Sequence, residues 1–94
     1  MKIATLIEYS QDQDKIKVIA AAHRQYFRRF LDNGQLYAAG PLAENAGALW
    51  ILEVENTEDV ETIIKGDPYF GVGVFVTWQI IPLAYWSAKE AKGS

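Results

Sequence analysis

The feature that most constrains the fold is the order in which two hydrophobic periods alternate along the 94 residues. A period of two is typical of strands, and a period of 3.6 is typical of amphipathic helices. They follow one another here as strand, helix, strand, strand, helix and strand. This order predicts a single α+β domain over residues 1–94, with two helices on one face of a four-stranded antiparallel sheet. The predicted strands cover residues 2–9, 35–42, 48–55 and 72–81.

Polar residues mark the predicted ends of the first helix. Ser10 is followed three residues later by Gln13, which fits a capping box at the start of a helix. Apolar residues then recur at helical spacing. Gly34 ends the pattern, since glycine readily adopts the left-handed conformation that closes a helix.

The second helix is shorter. Asn56 or Thr57 caps its start, and Gly66 ends it. Asp67 and Pro68 follow directly, and the residue before a proline avoids helical backbone angles. We therefore expect the chain to leave the helix at this point.

The last predicted strand is apolar on both of its faces. Val76 and Trp78 share one face, whereas Phe75 and Ile81 share the other. A sheet with one face in water alternates more cleanly. We therefore expect the second face to be covered, most economically by another copy of the same sheet in a two-fold dimer. The alternative is a monomer whose C-terminal segment 83–86 folds back over the sheet.

Composition excludes several classes of function. The chain has no cysteine, which rules out a disulfide scaffold, a thiol nucleophile and a cysteine zinc site. One histidine is too few for a multi-histidine metal site, so we expect neither a metal nor another cofactor. A net charge of −3 argues against nucleic acid as a partner. No apolar run reaches the ~18 residues that a membrane span needs, so we expect no membrane partner. Met1 and Lys2 lead straight into a strand, so we expect no signal peptide and a cytoplasmic location.

His23 and Asp67 are the candidate catalytic residues. An imidazole is the side chain that most readily exchanges protons near neutral pH, and His23 lies on the apolar stripe of the first helix. A carboxylate within reach would fix its tautomer, as a general acid/base pair requires. The alternatives are a core histidine bonded to a backbone carbonyl and a turn-forming Asp67. Sequence spacing does not show that the two side chains meet.

Five further residues are candidates for binding a substrate. Arg24 carries a charge suited to an anionic group, although an arginine on a helix also serves simply to solvate its outer face. Tyr37, Pro41, Trp50 and Tyr69 are expected to close a pocket between the sheet and the helices. The alternative for these four residues is plain core packing.

Two motifs carry a resemblance to a known family. The first, H-x(6)-F-L-x-x-G-Q-L-x-x-A-G-P-L, runs from His23 to Leu42. The second, D-P-Y-F-x-x-G-V-F, runs from Asp67 to Phe75, and a closing apolar strand with Pro82 follows it. In this order, over nearly the whole chain, they resemble the YCII-related (YciI-like) family of small dimeric α+β barrel proteins.

The resemblance implies a ferredoxin-like fold that forms a dimeric α/β barrel through its sheet faces. It also implies that His23 and Asp67 form the acid/base pair of a cleft, acting on a small organic substrate without metal or nucleotide. Family members have been linked to the breakdown of small cyclic or chlorinated aromatic compounds, including dehydrochlorination of a hydroquinone. One departure is that relatives often carry R-x-x-H, whereas Ala20 stands at the arginine position here.

Three functions are consistent with this resemblance. The first is a lyase, dehydrochlorinase-like or isomerase-like enzyme that uses the His-Asp pair. The second is a non-catalytic dimer that binds a metabolite or serves as an accessory domain. The third is a cofactor-free monooxygenase of the dimeric barrel type, which oxygen consumption would reveal.

Overall fold

The computed structural model describes residues 1–87. Four strands and three helices form two layers. All three helices lie on one face of the sheet, and the apolar core fills the space between the layers. The elements are β1 (Lys2–Tyr9), α1 (Gln13–Asp32), β2 (Leu36–Pro41), a 3-10 turn (Ala43–Asn45), β3 (Gly47–Glu53), α2 (Thr57–Gly66), α3 (Pro68–Gly71) and β4 (Phe75–Pro82).

The sheet has the strand order β2-β3-β1-β4, and every neighbouring pair is antiparallel. The predicted α+β class and ferredoxin-like arrangement are therefore confirmed. The edge strand β2 lies beside α1 with few close approaches between them. A gap therefore separates α1 from this edge strand.

Two predicted boundaries are wrong. The N-cap of α1 is Asp12, whose carboxylate accepts the backbone N–H of Lys15, and not Ser10. Ser10 instead accepts the N–H of Asp12 through its hydroxyl, so the chain makes one more turn before the helix begins. The last strand begins at Phe75 rather than at residue 72, because Gly73 takes a positive φ of 81° in the preceding turn.

The segment after α2 also differs from the prediction of two helices. The chain leaves α2 at Asp67, as expected, but immediately starts the short helix α3 with Pro68 in its first position. A proline is favoured there because the first helical N–H has no partner to lose. This third helix brings Asp67 under the sheet-facing side of α1.

A β-bulge explains much of the two-sided apolar pattern of β4. Glu8 pairs with Thr77 whereas Tyr9 pairs with Phe75, so Val76 is an extra residue in β4. A bulge switches which positions face the core. Phe75 on one side of it and Trp78 on the other therefore both pack against the core.

The face of the sheet away from the helices remains apolar. Leu6, Leu49, Val76 and Ile81 lie there and are 40% to 53% exposed. Among the described residues after β4, Trp86 reaches one corner of this face, where it packs edge-on against Tyr37 with ring centroids 5.5 Å apart. Within residues 1–87, the fold-back considered from the sequence is limited to this corner, and Leu6 and Leu49 remain exposed.

Candidate active site

His23 and Asp67 meet beneath the helix layer. The Nδ1 atom of His23 lies 2.9 Å and 2.8 Å from the two carboxylate oxygens of Asp67. His23 is 9% exposed and Asp67 is 1% exposed. A carboxylate this deeply buried needs hydrogen-bond donors to offset its desolvation. The N–H at Nδ1 therefore donates to Asp67, which leaves Nε2 as the ring nitrogen available to a ligand.

Local backbone structure fixes Asp67. Its Oδ1 accepts the backbone N–H of Tyr69 at 2.9 Å, which makes Asp67 the N-cap of α3. Its own backbone N–H donates to the carbonyl of Ile64 at the end of α2. The carboxylate that holds His23 is thus anchored by the junction between two helices, and does not depend on a ligand for its position.

Two aromatic rings hold the imidazole. The ring of His23 stacks on Tyr69 with centroids 4.0 Å apart and an interplanar angle of 11°. Phe27, one turn further along α1, stacks on His23 at 5.1 Å. The imidazole plane is therefore fixed by packing as well as by the bond to Asp67, which is the arrangement that a proton-transfer group needs.

A cleft of about 490 Å³ opens between α1 and β2 beside this pair. Its volume falls within the range of small-molecule sites. Most of its walls are aromatic or aliphatic, and its floor is formed by the inner face of β3. The lining residues with polar side-chain groups are Tyr9, His23, Arg24, Asn45, Trp50 and Tyr69.

Four of the five predicted binding residues line this cleft: Arg24, Pro41, Trp50 and Tyr69. Tyr37 is not among the lining residues. A register shift in β2 between Leu36 and Ala38 changes which side chains face inward. Tyr37 instead lies below the ammonium group of Lys2, 4.6 Å from its ring centroid, and is 44% exposed. Tyr37 therefore lies outside this cleft.

Several lining residues were not identified from the sequence. Tyr9 faces inward at the end of β1, and strand alternation alone gives that orientation. Ala39 leaves space in the wall because its side chain is small. Asn45 sits in the turn before β3 with a φ of 56°, and Glu44 beside it also has a positive φ. Asparagine tolerates this conformation, but nothing in the sequence marks the turn as facing a cleft.

The tyrosines of the cleft are held in their neutral form. Burial raises the pKa of Tyr9, and repulsion from an ionised Tyr69 and from the Asp67 carboxylate raises it further. Burial and the Asp67 carboxylate raise the pKa of Tyr69, while the Arg24 guanidinium opposes this shift. Both phenols therefore offer an O–H donor to a ligand at neutral pH.

Within residues 1–87, no three His, Asp or Glu side chains are grouped closely enough to hold a metal ion. No helix in this part of the chain has the length and apolarity needed to cross a membrane.

Comparison with known proteins supports the resemblance seen in the motifs. A family model of the YCII-related domain matches residues 1–84. No curated protein matches the chain. Among solved structures, the chain is similar to 5-chloro-2-hydroxyhydroquinone dehydrochlorinase (TftG) from Burkholderia phenoliruptrix AC1100 in complex with 2,5-dihydroxybenzoquinone. The TM-score is 0.73 and the identity 17%, over 97% of this chain and 98% of that one. At this identity the likeness establishes a shared fold.

Proposed function

Because the chain belongs to the YCII-related family, we propose that it is a small-molecule enzyme whose acid/base group is His23. The observation that carries this proposal is the bond from His23 Nδ1 to the buried carboxylate of Asp67 at the wall of a cleft. A general base needs a fixed orientation, a fixed tautomer and access to the substrate. The Asp67 bond supports the first two, and the cleft supports the third.

The chemical step begins with proton transfer. With the Nδ1 proton bonded to Asp67, Nε2 of His23 accepts a proton from an acidic O–H or from a C–H beside a carbonyl. The electron pair left on the substrate forms a new double bond, and a leaving group departs with its own bonding pair. The imidazolium that results is stabilised by the Asp67 carboxylate. In an isomerisation, the same proton returns to another carbon.

The structural neighbour indicates which of these reactions to test first. TftG is named as a dehydrochlorinase of a hydroxyhydroquinone, so loss of a halide from a small ring is the first reaction to assay. The aromatic walls around His23, formed by Phe27, Trp50 and Tyr69, suit a planar ring. General acid–base help of this kind contributes about 10²- to 10⁴-fold in rate.

The test is a screen of halogenated and hydroxylated single-ring compounds, read out by halide release and by oxygen uptake. Once a substrate is found, His23→Gln should lower kcat by at least about 10²-fold. Gln25→Ala, which changes an exposed residue of α1 outside the cleft, serves as the control. Full activity in His23→Gln would refute the acid/base role. Tight binding without turnover would favour a binding or accessory domain, and oxygen consumption would favour a monooxygenase.

We also propose that two copies pair through the exposed apolar face of the sheet, as in a dimeric α/β barrel. Leu6 and Leu49 on the two central strands and Ile81 on the edge strand β4 are each at least 40% exposed in the single chain. Contiguous apolar patches of this kind usually mark an association site. Light scattering should give twice the mass of one chain, and Leu6→Lys should shift the mass toward one chain. A single-chain mass for the unmodified protein would refute the pairing.

A further inference from the structure

The described residues that line the cleft include an arginine but no aspartate or glutamate. The chain carries 12 acidic residues, yet no carboxylate is among the cleft-lining residues in the part of the chain that the structure describes. Asp67 is close by, but its carboxylate is buried behind His23. It accepts hydrogen bonds from the imidazole and from the backbone N–H of Tyr69. Among the described residues, Arg24 is the one lysine or arginine that lines the cleft.

Arg24 is free to meet a ligand. Within residues 1–87, no carboxylate oxygen lies within 4.0 Å of it. Its charge acts on the cleft, because it opposes the rise in the pKa of Tyr69. The neighbouring arginines differ. Arg29 packs over the rings of Tyr26 and Phe30, and Arg28 is exposed outside the cleft.

The shape of the cleft adds a second restriction. Phe27 and Tyr69 stack on either side of the imidazole, so flat rings already define this part of the wall. Arg24 follows His23 directly in α1, and both residues line the same cleft. A ligand that contacts both residues would meet the imidazole and a guanidinium, whose flat fork binds carboxylate-like oxygens in pairs.

We propose that the cleft selects small planar acids: single rings bearing an ionised hydroxyl or carboxylate, with the anionic group bound by Arg24 and the reacting edge toward His23. This inference rests on the proposed enzyme function, for which it names the substrate class and the residue that recognises it.

The test compares two probes of equal ring size. At neutral pH, 2,5-dihydroxybenzoquinone is an anion because its hydroxyls are vinylogous acids, whereas 2,5-dimethoxybenzoquinone is neutral. The chain has no cysteine to add to either quinone. Titration followed by tryptophan fluorescence, with amide chemical-shift mapping, should show that the acid binds in the cleft more tightly than the ether. The preference should shrink as salt rises.

Arg24→Gln should weaken binding of the acid about 10- to 100-fold, which is the range for a charge-assisted hydrogen bond, and should leave the ether unaffected. Arg28→Gln is the matched control, because it removes the same charge from the same helix outside the cleft. Ala39→Leu should block both probes by filling the wall.

Three results would overturn the inference: equal binding of acid and ether, no binding of the acid, or equal losses in Arg24→Gln and Arg28→Gln. The proposed function fails by a different observation. If His23→Gln left turnover unchanged while Arg24→Gln still weakened the acid, the binding preference would stand and the acid/base role would not.

Discussion

Replacing Asp67 by asparagine tests whether the buried carboxylate sets the tautomer of His23. Asparagine retains the oxygen that accepts the N–H of Tyr69, so it can still cap α3. In asparagine, an NH₂ group replaces the second carboxylate oxygen. In the unmodified protein both oxygens lie within 2.9 Å of Nδ1, whereas the NH₂ group can only donate a hydrogen to that nitrogen. The retained oxygen stays 2.9 Å from Nδ1, but the contact at 2.8 Å is kept only if the imidazole accepts at Nδ1. We therefore expect the ring to carry its proton on Nε2.

The consequences for rate and stability follow from this switch. A protonated Nε2 cannot take a proton from the substrate. The fall in kcat should therefore approach the full contribution of general base catalysis, about 10²- to 10⁴-fold. Stability should change much less. A charge-assisted bond gives way to a neutral one of about half its strength, which costs about 1 kcal/mol. For a domain of this size, that corresponds to a fall in Tm of about 4–8 °C.

The assay uses the fact that the chain has a single histidine. The ¹⁵N chemical shifts of one labelled imidazole, recorded at a pH high enough for the ring to be neutral, report which nitrogen bears the proton. The unmodified protein should show protonated Nδ1, and Asp67→Asn should show protonated Nε2. Asp12→Asn is the control, since Asp12 is also a helix N-cap but lies in an exposed turn. An identical tautomer in all three proteins would refute the reasoning.

Four other substitutions test the packing and titration of the fold. Thr5→Val should raise the free energy of unfolding by about 1 kcal/mol, because the Thr5 hydroxyl is fully buried with no hydrogen-bond partner in the described structure. Denaturant titration measures this change, and a loss of stability would contradict it. Gly47→Ala should destabilise the fold by about 1–3 kcal/mol, since a Cβ there would overlap the backbone carbonyl of Ile7. Gly71→Ala is the control: its Cβ would have no atom within 4 Å, so this change should be neutral or slightly stabilising. Tyr9 has a raised pKa in the folded state, so the unfolded chain loses its phenolic proton first as pH rises. Stability should therefore fall from about pH 10 upward, and Tyr9→Phe should reduce that slope by about 1.4 kcal/mol per pH unit; equal slopes would contradict the assignment.

Hydrophobic periodicity was sufficient to predict the order of strands and helices, because each period is a direct consequence of one buried face. It was insufficient for the helix boundaries. Ser10 and Asp12 both fit the chemistry of an N-cap, and only the path of the chain after Tyr9 decides between them. The short helix α3 leaves no periodic signal, since four residues complete only about one turn.

The candidate site, too, was predictable from the sequence only in part. His23 and Asp67 are 44 residues apart, so no local spacing could bring them together, and it was the motif resemblance that paired them. Pro41, Trp50 and Tyr69 line the cleft as predicted from their types and positions. Tyr37 does not, because a register shift between Leu36 and Ala38 interrupts the alternation of β2, so Tyr37 and Pro41 do not share a face.

The segment Asp67–Tyr69 shows why the candidate site is formed without a ligand. The carboxylate of Asp67 is needed as the cap of α3, the ring of Pro68 fixes the first turn of that helix, and the ring of Tyr69 packs into the core at 4% exposure. Each of these is a requirement of folding. Yet the same three residues supply the hydrogen-bond acceptor for His23 and the surface on which its imidazole stacks. Folding stability therefore sets the geometry of the His23–Asp67 pair. The outer wall around Arg24 and Ala39 takes no part in these contacts, so a change of side chain there should alter which ligand enters while leaving the imidazole in place.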